Sequence, residues 1–468
     1  MKVLDYIILF AALAIVLLIG ALSGKKSNQQ SSSDEFLMAG KSINKLQAGF
    51  SMAATDFGGS GLVGAIGYCY ICGMSGIWWN LAAAPAFLLV GLFLAKKFNR
   101  MDGATLPDFF GKRYSPAVKY LSSFMHICMN VAALAVQFTV SCTVLHVITG
   151  LNMTLSLIIS MLLVLFLTSG GLRSVVNTDA TLFVIIVISV LLAVPVSFTA
   201  GGGFENIVSN LPDSFMRIDQ LGFWTPLSWL LLCVLTYSTN QNYIQRMVSA
   251  KDEGTATFGA IFTAGFYLVI SIALGLVGIS ATYLLPGLED TNAVFPEMLV
   301  NFFPHGLVGL GLAAVFAATI STGTSILHAT ATLTINDLWK PLIGKNKDDK
   351  AELRISRIAV VAAAIFSLGI SLISSDIVNI IYVGGLFYAA SVFIPMIFGM
   401  YGKFATAKAA LISMIVTVIF SLCWEYLPQI RPELLASLPS NVIGLIISAV
   451  VLVVVSLLDQ KSAKKATA

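Results

Sequence analysis

Thirteen long apolar runs, separated by short polar links, constrain this chain more than any other feature. They lie near residues 4–23, 46–72, 75–97, 116–147, 152–169, 178–200, 222–243, 255–285, 306–335, 354–374, 376–401, 404–424 and 439–459. Most reach the ~20 residues that a helix needs to cross the hydrocarbon core of a bilayer. Inside lipid, every backbone N–H and C=O must be paired within the protein, which leaves only helices or closed barrels. The runs are continuously apolar rather than alternating, so they predict helices. Composition agrees: 57% of the 468 residues are hydrophobic and 11% are charged, against about 25% charged in a typical soluble domain. The expectation is an all-α polytopic membrane protein with thirteen spans.

The first run could be taken for a signal peptide. It lacks a small-residue cleavage site and is followed by KKSNQQSSSDE, so it is expected to remain as a helix. The six cysteines lie in or at the edge of apolar runs. Cys69 and Cys72 form a CxxC with no second pair and no ligand histidine nearby, and read as small apolar residues on one helix.

Thirteen spans divide the links into two alternating sets. Of the 27 basic residues, only Lys2, Arg217 and Arg431 fall in one set. Positive charge accumulates on the cytoplasmic side, so the N-terminus is expected outside and the C-terminus inside, in a plasma membrane. On this count Arg173 and Arg246 belong to cytoplasmic links. The net charge of +4 is an orientation signal and gives no reason to expect a nucleic-acid partner.

Several chemistries are excluded. The end of LMAGKS resembles a phosphate loop, but the glycine required five residues before Gly40 is Glu35. There is no HExxH, and His126, His146, His305 and His328 lack metal-ligand spacing. No large soluble segment exists to bind ATP, and no nucleophile–base pair suggests an enzyme. A secondary transporter, a channel or an intramembrane enzyme remains.

Four polar stretches interrupt the apolar runs. In AATDFGGSG, residues 53–61, Asp56 is a costly charge for a span, ~2.5–3.5 kcal/mol on insertion scales. Gly58, Gly59 and Gly61 would let the helix unwind there, freeing carbonyls to bind a small hard cation. The glycines could equally serve close helix packing. In AATISTGTSILHATATLT, residues 317–334, Ala318, Ser321, Thr322 and Ser325 share one helical face and offer neutral oxygens, although such hydroxyls often bond their own helix. In GGLRSVVNTDATL, residues 170–182, Asp179 either serves a site or caps the helix that follows. TYSTNQNYIQR, residues 236–246, breaks a run with Tyr237, Asn240, Asn242 and Tyr243. Residues 46–200 and 222–401 each hold five runs, and the first of each block is the interrupted one. An odd number inverts the second block relative to the first. The expected divisions are 1–45, 46–200, 201–221, 222–401 and 402–468.

FLMAGKS, GGLRSVVNTD, QNYIQR at 241–246 and AAVFAATISTGTSILHATATLTINDLW at 313–339 occur in order over most of the chain. Together they resemble motifs of the sodium/solute symporter family. The resemblance implies the leucine-transporter fold, with two inverted five-helix repeats and flanking helices. It implies a sodium site formed by the carbonyls of Ala54, Phe57 and Ala318 with the hydroxyls of Ser321 and Thr322. A second sodium, known in some members, would use Asp179, Ser321, Thr324 and Ser325. Asp56 matches the proline-transporter branch. The glutamine and glutamate that contact sugar in the sugar branch are Gly61 and Asn80 here, which argues against a hexose. The glutamine that usually follows the TD motif is Leu182.

The function expected is sodium-coupled import of a small organic solute by alternating access, with a slight leaning to an amino acid. Solute contacts would come from Asp56, Ser60, Asn80, Gln137, Tyr237, Asn240 and Tyr382. Asp56 is expected to face the solute or a neighbouring helix rather than the sodium. The alternatives are a proton-coupled transporter of the same fold, or a channel or sensor; the nine residues after 459 disfavour a sensor with an attached output domain.

Overall fold

A computed structural model describes residues 1–28, 38–168, 171–343, 349–373, 377–432, 435 and 438–466. Phe36, Leu37 and Gly170 of the motifs above lie outside the described residues. Within the described residues, each predicted apolar run lies mainly on helix. In chain order these are α1 (Val3–Asn28), α2 (Lys45–Asp56), α3 (Ala65–Cys72), a helical stretch over 73–99 and α4 (Leu106–Arg113). There follow α5 (Pro116–Thr149), α6 (Met153–Thr168), α7 (Gly171–Ala200), α8 (Trp224–Thr239), α9 (Gln241–Val248) and α10 (Glu253–Leu284). The chain continues through α11 (Leu307–Leu333), α12 (Asp349–Ile373), α13 (Ile377–Tyr401), α14 (Ala407–Tyr426) and α15 (Ser440–Ala466). Among the described residues, nine helical stretches are long and apolar enough to cross a membrane. α2 and α8 do not qualify because each is interrupted.

The interior centres on α11, which is buried without a gap from Gly311 to Leu333. By contrast, α12 exposes Ile365, Phe366 and Ile373, an apolar face suited to lipid. Gly73 turns the chain between α3 and the 73–99 stretch at φ +59°. A Cβ there would stand 2.3 Å from the Phe215 carbonyl oxygen, so glycine is required both by conformation and by space.

Two boundaries differ from expectation. α7 begins at Gly171 rather than near 178, so Asp179 lies well inside the helix and does not cap it. Hydropathy marks where side chains become apolar, whereas the helix extends further because Leu172 and Val176 pack against Ala39, Ile43 and Ala48. Arg173 therefore stands on helix rather than in a link. Arg246, placed by charge counting in a link, is fully buried on α9.

The two interruptions have separate local causes. α2 begins with a capping box: the Gln47 amide donates to Asn44 Oδ1 at 3.0 Å, and the Asn44 amide to Gln47 Oε1 at 3.1 Å. It ends at Phe57, whose ψ is 67°. The Gly58 amide, which a continuous helix would aim at the Ala54 carbonyl, donates to the Asp56 carbonyl at 2.8 Å. The Gly59 amide, due at Thr55, donates instead to Gln137 Oε1 at 2.8 Å. A Cβ on Gly58 would stand 2.6 Å from Gln137 Oε1 and 2.7 Å from Thr322 Oγ1. Unwinding and close packing are thus one requirement. α8 and α9 part at Asn240, with φ −70° and ψ 129°, whose side chain accepts from the Asn242 amide at 2.9 Å.

Polar ties close the ends of the bundle. At the lysine-rich end, the Thr105 hydroxyl donates to Asp337 Oδ1 at 2.8 Å, and Lys119 Nζ lies 2.8 Å from Asp108 Oδ1 and 3.3 Å from Asp337 Oδ1. Gln241 joins this knot by donating to the Ala104 carbonyl at 2.7 Å and accepting from the Leu106 amide at 3.1 Å. At the other end, Asp5 of α1 accepts from the Gly306 amide at 2.5 Å, just before α11.

Candidate functional site

Both helix breaks open onto one cavity of about 120 Å³. Asp56, Ser60, Asn80, Gln137, Tyr237 and Asn240 all line it, which brings together six of the seven residues predicted to touch solute. The seventh, Tyr382, is on α13; its side chain lies outside the described residues, and Ile381 and Gly385 of the same helix line the cavity. The six do different things. Gln137 holds the break open through Gly59, Asn80 Nδ2 donates to the Gly61 carbonyl at 2.6 Å, and the Ser60 carbonyl accepts from Trp79 Nε1 at 3.1 Å. Tyr237 stacks on Phe87 at 4.2 Å between ring centroids.

Asp56 ends α2 at the cavity wall. Its Oδ1 accepts from the Tyr243 hydroxyl. Its Oδ2 is buried and has no hydrogen-bond partner in the protein. Tyr237 and Tyr267 complete the tyrosine wall, with Trp79 and Trp229 on the same cavity.

The oxygens of the first expected sodium set come from either side of this break. Ala54, Phe57 and Ala318 are fully buried, and the Ala54 carbonyl has been released from the helix ladder. The Thr322 hydroxyl is buried with no hydrogen-bond partner and lines the cavity. Ser321 donates to Asp179 Oδ1 at 2.5 Å, which leaves its lone pairs available. Neutral carbonyls and hydroxyls of this kind suit a hard monovalent cation.

The second expected set is arranged around a different cation. Asp179 Oδ2 accepts from Ser51 Oγ at 2.6 Å, Thr55 Oγ1 at 3.2 Å and Arg246 Nη2 at 2.8 Å. Arg246 further donates to Ser325 Oγ at 2.7 Å, Ser51 Oγ at 2.8 Å and the Asn242 carbonyl at 2.8 Å. A guanidinium therefore already joins Asp179 to Ser325. Thr324 takes no part: its hydroxyl donates to the Ser321 carbonyl of its own helix at 3.0 Å.

Sequence reasoning missed Arg246, Ser51, Thr55, Tyr267, Trp79 and Trp229. Ser51 and Thr55 stand four apart on α2, a spacing that could have flagged one polar face. Tyr243 was visible within QNYIQR. Arg246 ends the same motif, but it was counted among the basic residues of a link and given no role in a site.

Comparisons with known proteins bear on this arrangement. A model of the sodium:solute symporter family matches residues 36–417. The chain is 24% identical to the sodium/glucose cotransporter of Vibrio parahaemolyticus, covering 92% of this chain and 86% of that one. It is 27% identical to the sodium/pantothenate symporter of Escherichia coli (strain K12), covering 93% and 95%. Among solved structures, a Na+-coupled sialic acid symporter in a substrate-bound outward-open state superposes with a TM-score of 0.86 over 98% of both chains, at 19% identity. At that identity the likeness speaks for the fold alone, and the fold is that of the leucine transporter.

Proposed function

The chain belongs to the sodium:solute symporter family and is a sodium-coupled secondary transporter; from that premise we propose that its solute binds in the cavity between the two broken helices and crosses by alternating access. Sodium is held beside the break in α2 by the carbonyls of Ala54, Phe57 and Ala318 and the hydroxyls of Ser321 and Thr322. The observation that carries this reading is the Thr322 hydroxyl. It is buried, lacks a partner and packs against Gly58, at the point where α2 gives up its own hydrogen bonds. Arg246 supplies the counter-charge of Asp179, so the second expected sodium set needs no ion to balance its carboxylate.

The solute leans towards an amino acid rather than a hexose. Gly61 offers no side chain, and the amide of Asn80 is committed to the Gly61 carbonyl. The excess of basic residues on one set of links supports a plasma-membrane orientation with the N-terminus outside and the C-terminus in the cytoplasm. The inverted repeats fall within 46–200 and 222–401, because the broken helices α2 and α8–α9 each open one block.

The test is uptake into proteoliposomes under an inward sodium gradient, with potassium as the control ion. Sodium is expected to raise solute affinity, and solute to raise sodium affinity by the same factor. Solute affinity independent of sodium would overturn the coupling, and uptake driven equally by a proton gradient without sodium would reassign it.

A further inference from the structure

Among the described residues that line the cavity, Asp56 is the one charged side chain, with no lysine, arginine or histidine beside it. We propose that the transported solute carries a protonated or quaternary amine, recognised by Asp56 Oδ2 and the aromatic rings around it; this rests on reading the cavity as the solute site.

The argument begins with what Asp56 lacks. One carboxylate oxygen accepts from Tyr243, the Tyr237 and Tyr267 hydroxyls stand close by, and Oδ2 makes no well-formed hydrogen bond within the protein. These neutral donors soften the cost of a carboxylate at membrane depth, but they leave its charge unbalanced. The nearest candidate on the same short helix is Arg246, three residues after Tyr243. Its Nε, Nη1 and Nη2 are already directed at Ser51, the Asn242 carbonyl, Asp179 and Ser325. Among the described residues none supplies the missing cation, and the cavity is where one can arrive.

The rest of the wall selects the kind of cation. Trp79 and Trp229 meet at 87° with centroids 5.4 Å apart, and Tyr237 and Tyr243 meet at 84° and 5.2 Å. Perpendicular pairs turn ring faces in more than one direction around the cavity. Such faces attract diffuse, weakly hydrated cations. A bare metal ion would take oxygens instead, and the neutral oxygens are grouped around Ala54 and Thr322. A purely anionic solute would set a second negative charge against Asp56 with no counter-charge. A polyol would find the Asn80 and Gln137 amides already engaged with Gly61, Gly59 and Ala133.

The test uses the purified full chain and a thermal-shift panel in sodium and in potassium. The panel holds zwitterionic amino acids, glycine betaine and choline, with 3,3-dimethylbutanol as a neutral isostere of choline, and monocarboxylates and hexoses. An amine-bearing compound is expected to stabilise the protein in sodium, while the neutral isostere does not. In Asp56→Asn that amine should bind at least about tenfold more weakly, while stabilisation by sodium alone persists and shows that the variant is folded. Trp229→Leu should weaken the amine while leaving the sodium shift in place.

No shift from any amine at millimolar concentration would overturn the proposal, as would equal binding of carboxylates or hexoses. Loss of the sodium shift in Asp56→Asn would also overturn it, by making Asp56 an ion ligand. Sodium-dependent binding of a neutral or anionic solute would defeat this inference and leave symport intact. Loss of sodium dependence in the wild-type protein would defeat the symport reading itself.

Discussion

Two carboxylates lie near the middle of this bundle, and they are treated in opposite ways. Asp179 is enclosed by Arg246, Ser51, Thr55 and Ser321, so its charge is balanced within the fold. Asp56 accepts from the Tyr243 hydroxyl on Oδ1, has the Tyr237 and Tyr267 hydroxyls close by, and has no cation among the described residues that line its cavity. One short helix, α9, serves both: Tyr243 reaches Asp56, and Arg246 reaches Asp179. The difference separates an ion pair that holds helices together from a charge left incomplete until a passenger arrives. Asp179 is fully buried and Asp56 partly so, and the inventory of partners widens that difference.

The comparison can be broken most forcefully at Arg246. Arg246→Ala leaves Asp179 buried without a counter-charge and should cost about 3–5 kcal/mol of stability, read as a large fall in melting temperature. Asp179→Leu combined with Arg246→Met should recover much of that loss. If high sodium alone rescued Arg246→Ala, the guanidinium would be shown to stand in for an ion.

Gly58→Ala tests the Asp56 side of the pair. The new methyl would press on Gln137 Oε1 and Thr322 Oγ1, so a loss of about 1–3 kcal/mol is expected, with the sodium response reduced. A wild-type sodium response would mean that the break is not where sodium acts.

Asp56→Asn sharpens the contrast in the other direction. Tyr243 can still donate to the amide oxygen, so the fold should change by no more than about 1 kcal/mol, while amine uptake in proteoliposomes is lost. Destabilisation as large as that of Arg246→Ala would erase the distinction between the two carboxylates.

The smallest effect is expected from Thr324→Ala, about 1 kcal/mol or less, because its hydroxyl is turned back onto Ser321. Thr322→Ala, two residues earlier, should instead raise the sodium concentration for half-maximal uptake. Equal sodium curves for the two variants would remove Thr322 from the ion site.

Hydropathy made the helices legible, because the bilayer imposes both their length and their continuity. The break in α2 was legible for a related reason: Asp56 and the glycines after it violate the rule that the neighbouring residues obey. Asn240 announced itself in the same way. Arg246 did not, since a basic residue at the edge of an apolar run looks the same whether it lies in a link or folds back inside. Only tertiary proximity to Asp179, 67 residues earlier, reveals its role. Asp179 was misjudged as a possible cap because helix length and apolar length differ by a full turn or more in α7. Thr324 and Thr322 are the same residue type, and standing two positions apart on α11 turns them to different sides of the helix.

The position of α9 has one more consequence. This eight-residue rod grips Asp56 through Tyr243, Asp179 through Arg246, and the 104–106 link through Gln241. A tilt that loosens one grip strains the other two. Any motion that opened the cavity by moving α9 would therefore reach the cavity carboxylate, the buried ion pair and the 104–106 segment at once.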